Sequence, residues 1–285
     1  MVIWAPAKVN LYLEVLGKRP DGYHDIATLM VAVSLYDTLT FKEEASGQIS
    51  LTCDHPSLSV GPDNLVVRAA ELLQRRSGCR RGASIHLHKR IPLAAGLAGG
   101  SSDAASTLMA LNQLWGLEWN KGQLVELAAE LGSDMPFFFS TPAAWCTGRG
   151  EIVQPLTQPR PLHLVLLCPP VEVSTAAVYG RVRLPRRPLR GEPARRAFTR
   201  GDVEAIGRCL HNRLQPAAEE VCPEIARWRH CLQQLQPVGC ALSGSGGSLF
   251  ALCRDETEAQ RLAQTLRRHT EQGSRPSVFV VHSCF

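Results

Sequence analysis

A glycine- and serine-rich segment constrains this chain more than any other feature. Residues 91–106 read IPLAAGLAGGSSDAAS and lead directly into apolar residues at helical spacing. Glycine lets backbone N–H groups face a ligand without an intervening side chain. The unpaired N–H groups at a helix start, with the positive end of the helix dipole behind them, bind anions. We therefore expect a loop that holds a nucleotide by its phosphates, with a plain tight turn between strand and helix as the alternative.

This loop differs from two common phosphate-binding motifs. It contains neither the Gly-Lys-Ser/Thr of a P-loop nor the G-x-G-x-x-G of a dinucleotide-binding turn. Ser102, near its end, is open to three interpretations: a helix cap, a ligand of a phosphate oxygen, or a partner of a Mg²⁺-bound water. The loop alone indicates phosphate binding but not the reaction.

Length and composition fit a globular protein of two domains. The 285 residues are 45% apolar and 20% charged, and no run of 18 apolar residues predicts a membrane span. The N-terminus has the pattern of neither a signal peptide nor a transit peptide. Ten cysteines are spread from Cys53 to Cys284 without a C-x-x-C pair, which favours buried reduced thiols in a cytoplasmic protein over disulfides or zinc. His86 and His88 alternate with apolar residues, so we expect them on the solvent face of a strand.

An arginine-rich segment stands out against the modest net charge of +5. Residues 181–200 contain eight arginines and a single acid, Glu192, with three prolines among them. We interpret this segment first as a solvated loop that proline keeps from becoming a helix. A basic rim that attracts a phosphorylated substrate is the second interpretation. Nucleic-acid binding is disfavoured, because aromatic residues are almost absent from the segment.

Hydrophobic periodicity predicts an α/β (α+β) protein. Strict alternation over residues 8–16 indicates a strand with Lys8 and Asn10 on its polar side. Helical spacing, caps and apolar runs predict the remaining elements. We expect helices at 64–76, 121–131, 202–211 and 224–236, and strands at 83–90 and 162–168. We place the domain boundary between residues 155 and 156, which gives domains 1–155 and 156–285.

Three further features bear on chemistry. Lys8 and Asn10 are either a solvated strand face or part of a site, and Asp134, in the run GSDMPFFF, is a helix cap, a reactive carboxylate, or both. A lysine beside a carboxylate is what phosphorylation of a hydroxyl requires, since the carboxylate accepts the hydroxyl proton and the ammonium steadies the transferring group. The second glycine segment, residues 241–248, is either a flexible turn or a second contact to the same phosphates.

The motifs carried by the chain occur in a recognisable order. They are APAKVNL at 5–11, DGYH at 21–24, DNL at 63–65, PLAAGLAGGSSD at 92–103, GSDMP at 132–136, GRGE at 148–151 and SGSG at 243–246. This order resembles the GHMP kinase superfamily over nearly the whole chain. The resemblance implies an N-terminal ATP-binding domain like the second domain of ribosomal protein S5 and a ferredoxin-like C-terminal domain that contributes to substrate binding. It also implies ATP as co-substrate with Mg²⁺. The sequence itself shows no dedicated set of metal-binding residues.

The resemblance assigns roles to individual residues. Lys8 and Asp134 would be the catalytic pair, with Asp134 as general base toward the 2-hydroxyl of CDP-methylerythritol in the methylerythritol phosphate route to isoprenoids. The substrate-binding residues implied are Asn10 for the sugar alcohol, Tyr23 and Tyr179 around the cytosine ring, His24 at its polar edge, and Thr175. The ATP-binding residues implied are Asn64 and Lys89 near the nucleoside, then Pro92, Leu93, Ala94, Ala95, Gly96, Leu97, Ala98, Gly99, Gly100, Ser101, Ser102 and Asp103, with Gly244 and Gly246. As partners we expect small molecules, neither nucleic acid nor membrane, and a monomer or homodimer.

Several alternatives stay open at this point. A kinase for mevalonate or homoserine is the nearest, and Tyr23 and His24 argue against it because neither alcohol carries a base to stack on. An S5-like RNA-binding protein and an inactive regulator are the others. Residues 212–216, NRLQP, depart from the Asn-Asp-Leu-Glu-Pro pattern that is frequent in the family, so no role is assigned to them, and the arginine-rich segment has no clear counterpart.

Overall fold

Two long strands at the start of the chain supply residues to both compact units of the structure. The computed structural model describes residues 1–140, 142–157, 159–269 and 275–284. The first unit comprises Met1–Ala7, Leu35–Leu93 and Ala98–Ser140, and the second Lys8–Ser34, Ala94–Leu97 and Thr141–Phe285. The first glycine segment, residues 92–103, is called the glycine loop below. Its middle part, residues 94–97, belongs to the second unit, and its two ends belong to the first.

The elements are numbered in chain order. The strands are β1 (Val2–Lys18), β2 (His24–Glu44), β3 (Ile49–Cys53), β4 (Gly82–His88), β5 (Ala143–Thr147), β6 (Ile152–Pro155), β7 (His163–Cys168), β8 (His211–Asn212), β9 (Gly239–Leu242), β10 (Leu249–Cys253) and β11 (Ser277–His282). The helices are α1 (Leu65–Ser77), α2 (Gly99–Leu114), α3 (Lys121–Leu131), α4 (Thr175–Arg181), α5 (Glu192–Arg200), α6 (Val203–Cys209), α7 (Gln215–Val221), α8 (Pro223–Gln234) and α9 (Glu256–His269). A 3-10 turn occupies Met135–Phe139.

The first unit packs helices α1, α2 and α3 around one hydrophobic core with its strands. Its strand order is β3-β4-β2-β1, with β3 parallel and β2 antiparallel to β4. The core includes Leu73 of α1, Ile85 of β4 and Trp115 at the end of α2, all fully buried. This packing fixes the direction in which α2 leaves the glycine loop.

The second unit contains two sheets. In one, β1 lies between β8 and β2, and β2 also pairs with β5, which pairs with β6. The other is an antiparallel sheet in the order β11-β7-β10-β9. Its core joins Val165 and Leu249 of this sheet to Trp228 of α8 and Leu266 of α9. The second glycine segment connects β9 to β10, so the sheet holds both of its ends.

Most predicted elements are present within a few residues of their expected bounds. Helix α3 has the predicted bounds. The predicted helix at 64–76 is α1, and of its two candidate caps, Asp63 and Asn64, it is Asn64 whose side chain accepts a hydrogen bond from the Val66 N–H. The helix predicted at 202–211 ends at Cys209, because His211 and Asn212 instead pair with Tyr12 and Leu13 of β1. Tertiary pairing thus ends this helix where periodicity continues it.

Two expectations were wrong in ways that matter for the site. Proline does not prevent a helix in the arginine-rich segment: Pro193 occupies the first turn of α5, where its missing N–H needs no partner. The polar side of β1 is not solvated, since Lys8 is 3% and Asn10 is 1% exposed. Both sides of the strand are covered, so these polar groups must find partners inside the protein.

Smaller expectations concern cysteine, histidine and the membrane. All ten cysteines are free, but burial is complete for Cys146, Cys168 and Cys253 and partial for the rest. His86 and His88 are exposed on β4, as predicted. Among the described residues, no helix combines the length and apolar character that a bilayer crossing requires.

Candidate active site

The ammonium of Lys8 is the centre of a buried polar cluster in the second unit. Lys8 Nζ donates hydrogen bonds to Asn10 Oδ1 at 2.7 Å and to the Gly96 carbonyl at 3.0 Å. Its backbone N–H donates to the Leu97 carbonyl at 3.0 Å. A buried ammonium needs such oxygen partners, because an unpaired one would be strongly disfavoured. The cluster therefore ties the strand that carries Lys8 to the middle of the glycine loop.

The two glycine segments lie against each other. The Gly96 carbonyl also accepts a hydrogen bond from Ser243 Oγ at 3.0 Å, and the Ser248 N–H donates to the Ala95 carbonyl at 3.0 Å. Gly96 has φ +73°, and a Cβ built there would lie 2.1 Å from the Ser243 carbonyl oxygen. Only glycine permits this approach. Of the two interpretations of the second segment, the flexible turn is the less favoured, because its backbone is bonded to the first segment.

Asn212 supports the second glycine segment and was missed by sequence analysis. Its Nδ2 donates to the carbonyls of Leu242 and Gly244 at 2.9 and 2.8 Å, and its Oδ1 accepts from the Leu214 N–H at 2.9 Å. All the polar atoms of this buried amide are thus used. Residues 212–216 depart from the pattern that is frequent in the family, but neither pattern indicates that Asn212 bonds to the second glycine segment thirty residues later.

A chain of hydrogen bonds orients Asn10. Its Nδ2 donates to Thr28 Oγ1 at 2.8 Å, and Thr28 Oγ1 donates to the Tyr12 carbonyl at 2.7 Å. Thr28 lies on β2 and is fully buried. These bonds fix the Asn10 amide so that its oxygen faces Lys8.

Aromatic side chains gather at the start of β2 and on α4. The rings of His24 and Tyr179 have centroids 5.1 Å apart, whereas the ring of Tyr23 is covered by the Arg149 guanidinium, 4.8 Å from its centroid. Thr175 Oγ1 lies 2.8 Å from the hydroxyl of Ser245 in the second glycine segment. Burial, with a smaller effect of the Lys18 charge, lowers the pKa of His24, so its imidazole is neutral at pH 7. A neutral imidazole can both donate to and accept from the polar edge of a base.

The start of α2 has unusual backbone and side-chain features. Ala98, the residue before the helix, has φ 54° and no side-chain cap, a conformation that is costly for a non-glycine residue. Ser102 lies in the first turn, so it is not the cap. Its Oγ and Asp103 Oδ1 are buried with no hydrogen-bond partner among the described residues. Unpaired buried oxygens at a helix start are a place where a ligand would satisfy them.

Lys89, predicted to lie near a nucleoside, has its ammonium in a buried cluster of charges in the first unit. Lys89 Nζ donates to Asp37 Oδ2 and to Asp103 Oδ2, the latter at 2.7 Å. The three side chains are at most 2% exposed. Burial raises the pKa of Asp103, and the charge of Asp37 adds to this effect against the opposing effect of Lys89. The Lys89 ammonium is thus engaged with carboxylates.

Asn64 and Asp134 also lie in the first unit. The Asn64 amide caps α1 through its oxygen, at 2.8 Å from the Val66 N–H, and donates to the Ser59 carbonyl at 2.6 Å. Asp134 precedes the 3-10 turn and makes no capping hydrogen bond with its side chain. Its segment runs beside the start of α2, since a Cβ on Gly132 would lie 3.9 Å from Ser101 Oγ. Of the two interpretations of Asp134, the helix cap is therefore wrong for its side chain.

Glu14, two residues beyond Tyr12 on β1, anchors the arginine-rich segment. Its fully buried carboxylate accepts from Arg213 at 2.6 and 2.9 Å, from the Leu189 N–H at 3.0 Å, and lies 3.1 Å from His211 Nε2. The Tyr12 hydroxyl donates to the Leu189 carbonyl at 2.6 Å, and burial together with Glu14 raises the pKa of Tyr12 to about 12. The segment is therefore held at Leu189 by both backbone groups and is not a free loop.

Comparison with known proteins decides the family. The family model for the GHMP kinases N terminal domain matches residues 64–141, and that for the GHMP kinases C terminal domain matches residues 194–272. The chain belongs to the GHMP kinase family. The first matched region of this GHMP kinase contains the first glycine segment. The second contains most of α5, helices α6 to α9 and the second glycine segment.

Curated relatives and solved structures resemble this GHMP kinase over most of their length. A 4-diphosphocytidyl-2-C-methyl-D-erythritol kinase of Pelotomaculum thermopropionicum is 44% identical over 94% of both chains, and one of Exiguobacterium sibiricum is 42% identical over the same shares. A crystal structure of 4-(cytidine 5'-diphospho)-2C-methyl-D-erythritol kinase covers 100% of both chains with a TM-score of 0.84 and 36% identity. A homoserine kinase of Cytophaga hutchinsonii, at 20% identity and a TM-score of 0.77 over 100% of this chain and 94% of its own, shows the fold alone. The predicted fold class, a two-domain GHMP kinase fold of α/β (α+β) type, is confirmed.

The close approach of the two glycine segments generates a first prediction. Gly96→Ala places a methyl group where the Ser243 carbonyl lies, in a conformation that alanine rarely adopts, so the segments must separate. We expect a fall in melting temperature equivalent to about 1–3 kcal/mol and a loss of nucleotide binding. Gly17→Ala, which meets nothing within 4 Å, is the matched control. Thermal unfolding and nucleotide titration that leave Gly96→Ala equal to this control would contradict the packing.

Glu14 generates a prediction for the pH dependence of stability. Burial raises the pKa of its carboxyl, but hydrogen bonds from Arg213 and Leu189 and the charges of Arg213 and His211 outweigh this and lower the pKa. At acidic pH the unfolded chain binds more protons at this group than the folded one. The stabilisation is therefore complete above the ordinary pKa of a glutamate and is lost as the pH falls through the lower pKa of the folded state. Glu14→Gln should therefore be less stable than the wild type at pH 7, with the gap narrowing toward pH 3. Urea unfolding across this range measures it, and a gap independent of pH would refute the assignment.

Proposed function

We propose that this chain is an ATP-dependent kinase that phosphorylates the 2-hydroxyl of 4-diphosphocytidyl-2-C-methyl-D-erythritol in the methylerythritol phosphate pathway of isoprenoid biosynthesis. One observation carries the proposal: relatives with that name are 42–44% identical to the chain over 94% of its length. The resemblance to homoserine and mevalonate kinases, at 14–20% identity, supports the fold and no particular alcohol.

In the proposed reaction, Asp134 accepts the proton of the acceptor hydroxyl as the hydroxyl oxygen bonds to the γ-phosphorus of ATP. The bond from that phosphorus to the bridging oxygen breaks, and ADP leaves. Lys8 offsets the negative charge on the transferring phosphoryl group and the attacking oxygen. Asn10 positions the sugar alcohol, and the bond from Thr28 to the Tyr12 carbonyl supports Asn10 in that orientation. The ammonium already donates hydrogen bonds to Asn10 Oδ1 and to the Gly96 carbonyl, which offset the cost of its burial.

We propose that residues 92–103, with Gly244 and Gly246, surround the phosphates of ATP. The bonds between the two glycine segments favour this, since they place both backbones in one cluster around the Gly96 carbonyl. The unpaired oxygens Ser102 Oγ and Asp103 Oδ1 suit a hard cation, which Mg²⁺ is. When bound, Mg²⁺ neutralises charge on the β- and γ-phosphates. The polar groups of Asn64 and Lys89 are bonded to the protein. In this proposal they shape the nucleoside-binding region indirectly, because Asn64 caps α1 and Lys89 bonds to α2.

For the cytidine end of the substrate we propose the aromatic group of Tyr23, His24 and Tyr179, with Thr175 beside it. Aromatic rings stack on a base with about 1–3 kcal/mol each, and the neutral imidazole of His24 is suited to its polar edge. In this proposal the cytosine takes the place of Arg149 over the Tyr23 ring. Domains at 1–155 and 156–285, a cytoplasmic location and a monomer or homodimer stay predictions from the sequence.

A parallel assay of acceptor alcohols tests the function. Purified protein with ATP and Mg²⁺ should release ADP with 4-diphosphocytidyl-2-C-methyl-D-erythritol at a kcat/KM at least about 100-fold above that with mevalonate or homoserine, because only the first carries a base. A coupled ADP-release assay measures this. ADP release with homoserine or mevalonate at the higher rate would overturn the substrate, and no release with any alcohol would overturn the kinase.

The general base has its own test. Asp134→Asn should lower kcat by at least about 100-fold, since the amide cannot accept the hydroxyl proton, while nucleotide affinity stays within about twofold. The matched control is Glu126→Gln, an exposed acid of α3 in the same unit, which should be indistinguishable from wild type. Steady-state kinetics and nucleotide titration compare the three proteins. An Asp134→Asn protein with wild-type turnover would remove Asp134 from the reaction.

A further inference from the structure

Three buried charged side chains flank the glycine loop, where the chain enters it and where it leaves. Asp37 comes from β2, Lys89 follows the end of β4, and Asp103 lies in the first turns of α2. Their side chains are at most 2% exposed, and each carboxylate bonds to the one ammonium. In the proposed function only Asp103 Oδ1 faces a ligand, whereas the Asp37 carboxylate, the Lys89 ammonium and the second oxygen of Asp103 bond to one another, so this cluster of charges requires another explanation.

The end where the chain enters the loop is held by Asp37. Its Oδ1 accepts hydrogen bonds from two consecutive backbone N–H groups, those of Arg90 at 2.6 Å and Ile91 at 2.8 Å. Pro92, the first residue of the loop, follows immediately. The carboxylate thus fixes the backbone direction at the point where the loop begins.

The end where the chain leaves the loop is held through Lys89. The ammonium, bonded to the other oxygen of Asp37, donates to Asp103 Oδ2 at 2.7 Å. The ammonium also lies close to Gly99, the first residue of α2, because a Cβ added there would be 3.0 Å from Lys89 Nζ. The position of the helix start is therefore tied to the same carboxylate that holds residues 90 and 91.

Energetics separate positioning from simple stabilisation. Removing three charges from water is costly, and well-packed apolar residues in their place are often as stabilising or more so. A buried ion cluster is instead directional: its hydrogen bonds are satisfied in one arrangement of the two loop ends and not in neighbouring ones. Such a cluster suits a loop that must be preformed for phosphates, since preformed N–H donors need no ordering when the ligand binds.

We propose that Asp37, Lys89 and Asp103 are positioning residues that fix the separation of the two loop ends and thereby set the affinity for the triphosphate of a nucleotide. The proposal rests on the proposed function in that the loop is taken to bind ATP. It predicts that the cluster acts as one unit, so that breaking either of its links loosens the loop to a similar degree.

Near-isosteric substitutions test the cluster. In Asp37→Asn, one amide oxygen can serve either the two N–H groups or Lys89, so one link is lost. Lys89→Gln keeps donors but removes the charge. Binding of a fluorescent ATP analogue, titrated without any alcohol and well below each melting temperature, should weaken about 10-fold or more in each single variant. The double variant should be no weaker than the worse single variant. Glu126→Gln is again the matched control and should bind as the wild type does.

Steady-state kinetics distinguish positioning from a general loss of structure. The KM for ATP should rise as the dissociation constant does, while the KM for the alcohol and kcat at saturating ATP stay within about twofold. Variants that melt earlier yet bind the analogue as tightly as wild type would overturn the positioning role. Additive losses in the double variant would overturn the single unit. If Asp37→Asn does not fold, Lys89→Gln alone is subject to the same titration, and unchanged affinity overturns the proposal there.

The outcomes separate this inference from the function on which it rests. A wild-type protein that binds no ATP analogue would overturn both. Wild-type binding with unchanged variants would overturn the positioning role alone and leave the kinase intact. Weakened binding in the variants of a protein that phosphorylates some other alcohol would support the positioning role and overturn only the substrate.

Discussion

The burial of the Lys8 ammonium is the constraint on which the candidate site depends. A cation with 3% exposure must be surrounded by oxygen atoms, and two of those atoms are Asn10 Oδ1 and the Gly96 carbonyl. The Gly96 carbonyl accepts from Ser243 as well, so one oxygen joins a strand, the first glycine segment and the second. None of the three can move without leaving a buried polar group unpaired. The charge that we propose to assist phosphoryl transfer therefore also organises the loop that would hold the phosphates.

Sequence periodicity predicted which side of β1 carries the polar residues but not that this side is buried. A period of two places Lys8 and Asn10 together whatever covers them. Coverage comes from elements distant in the chain, and the residue that completes the cluster, Thr28, lies eighteen positions from Asn10 on another strand. Local patterns contain no information about such a partner. The glycine segment, the Asn64 cap and the helix α3 were predictable because each depends on residues within a few positions.

Asp37 and Asn212 were also missed because their hydrogen-bond partners are distant in the sequence. Asp37 lies among uncharged residues in the middle of the long β2 strand, where an acid is typical of a solvent-facing position. Its partners Arg90, Ile91 and Lys89 lie more than fifty residues later and are placed beside it only by the pairing of β2 with β4. Pro193 shows the converse error: proline was read as a helix breaker, although in a first turn it is compatible with the helix. Proline is compatible with α5 because of its position in the first turn of that helix.

Buried carboxylates hold segments outside the regular strands and helices in the same way in each unit. A carboxylate accepts from backbone N–H groups of a loop and pairs with a cation on another element: Asp37 does so for residues 90 and 91, and Glu14 for Leu189. The oxygens of Asp37 and Glu14 all accept hydrogen bonds. Among the described residues, Asp103 Oδ1 and Ser102 Oγ are instead buried side-chain oxygens without a hydrogen-bond partner. Because unpaired buried oxygens cost free energy that a folded chain otherwise avoids, their retention at the start of α2 argues for a ligand that completes them. In the function proposed above, a nucleotide with its cation is that ligand.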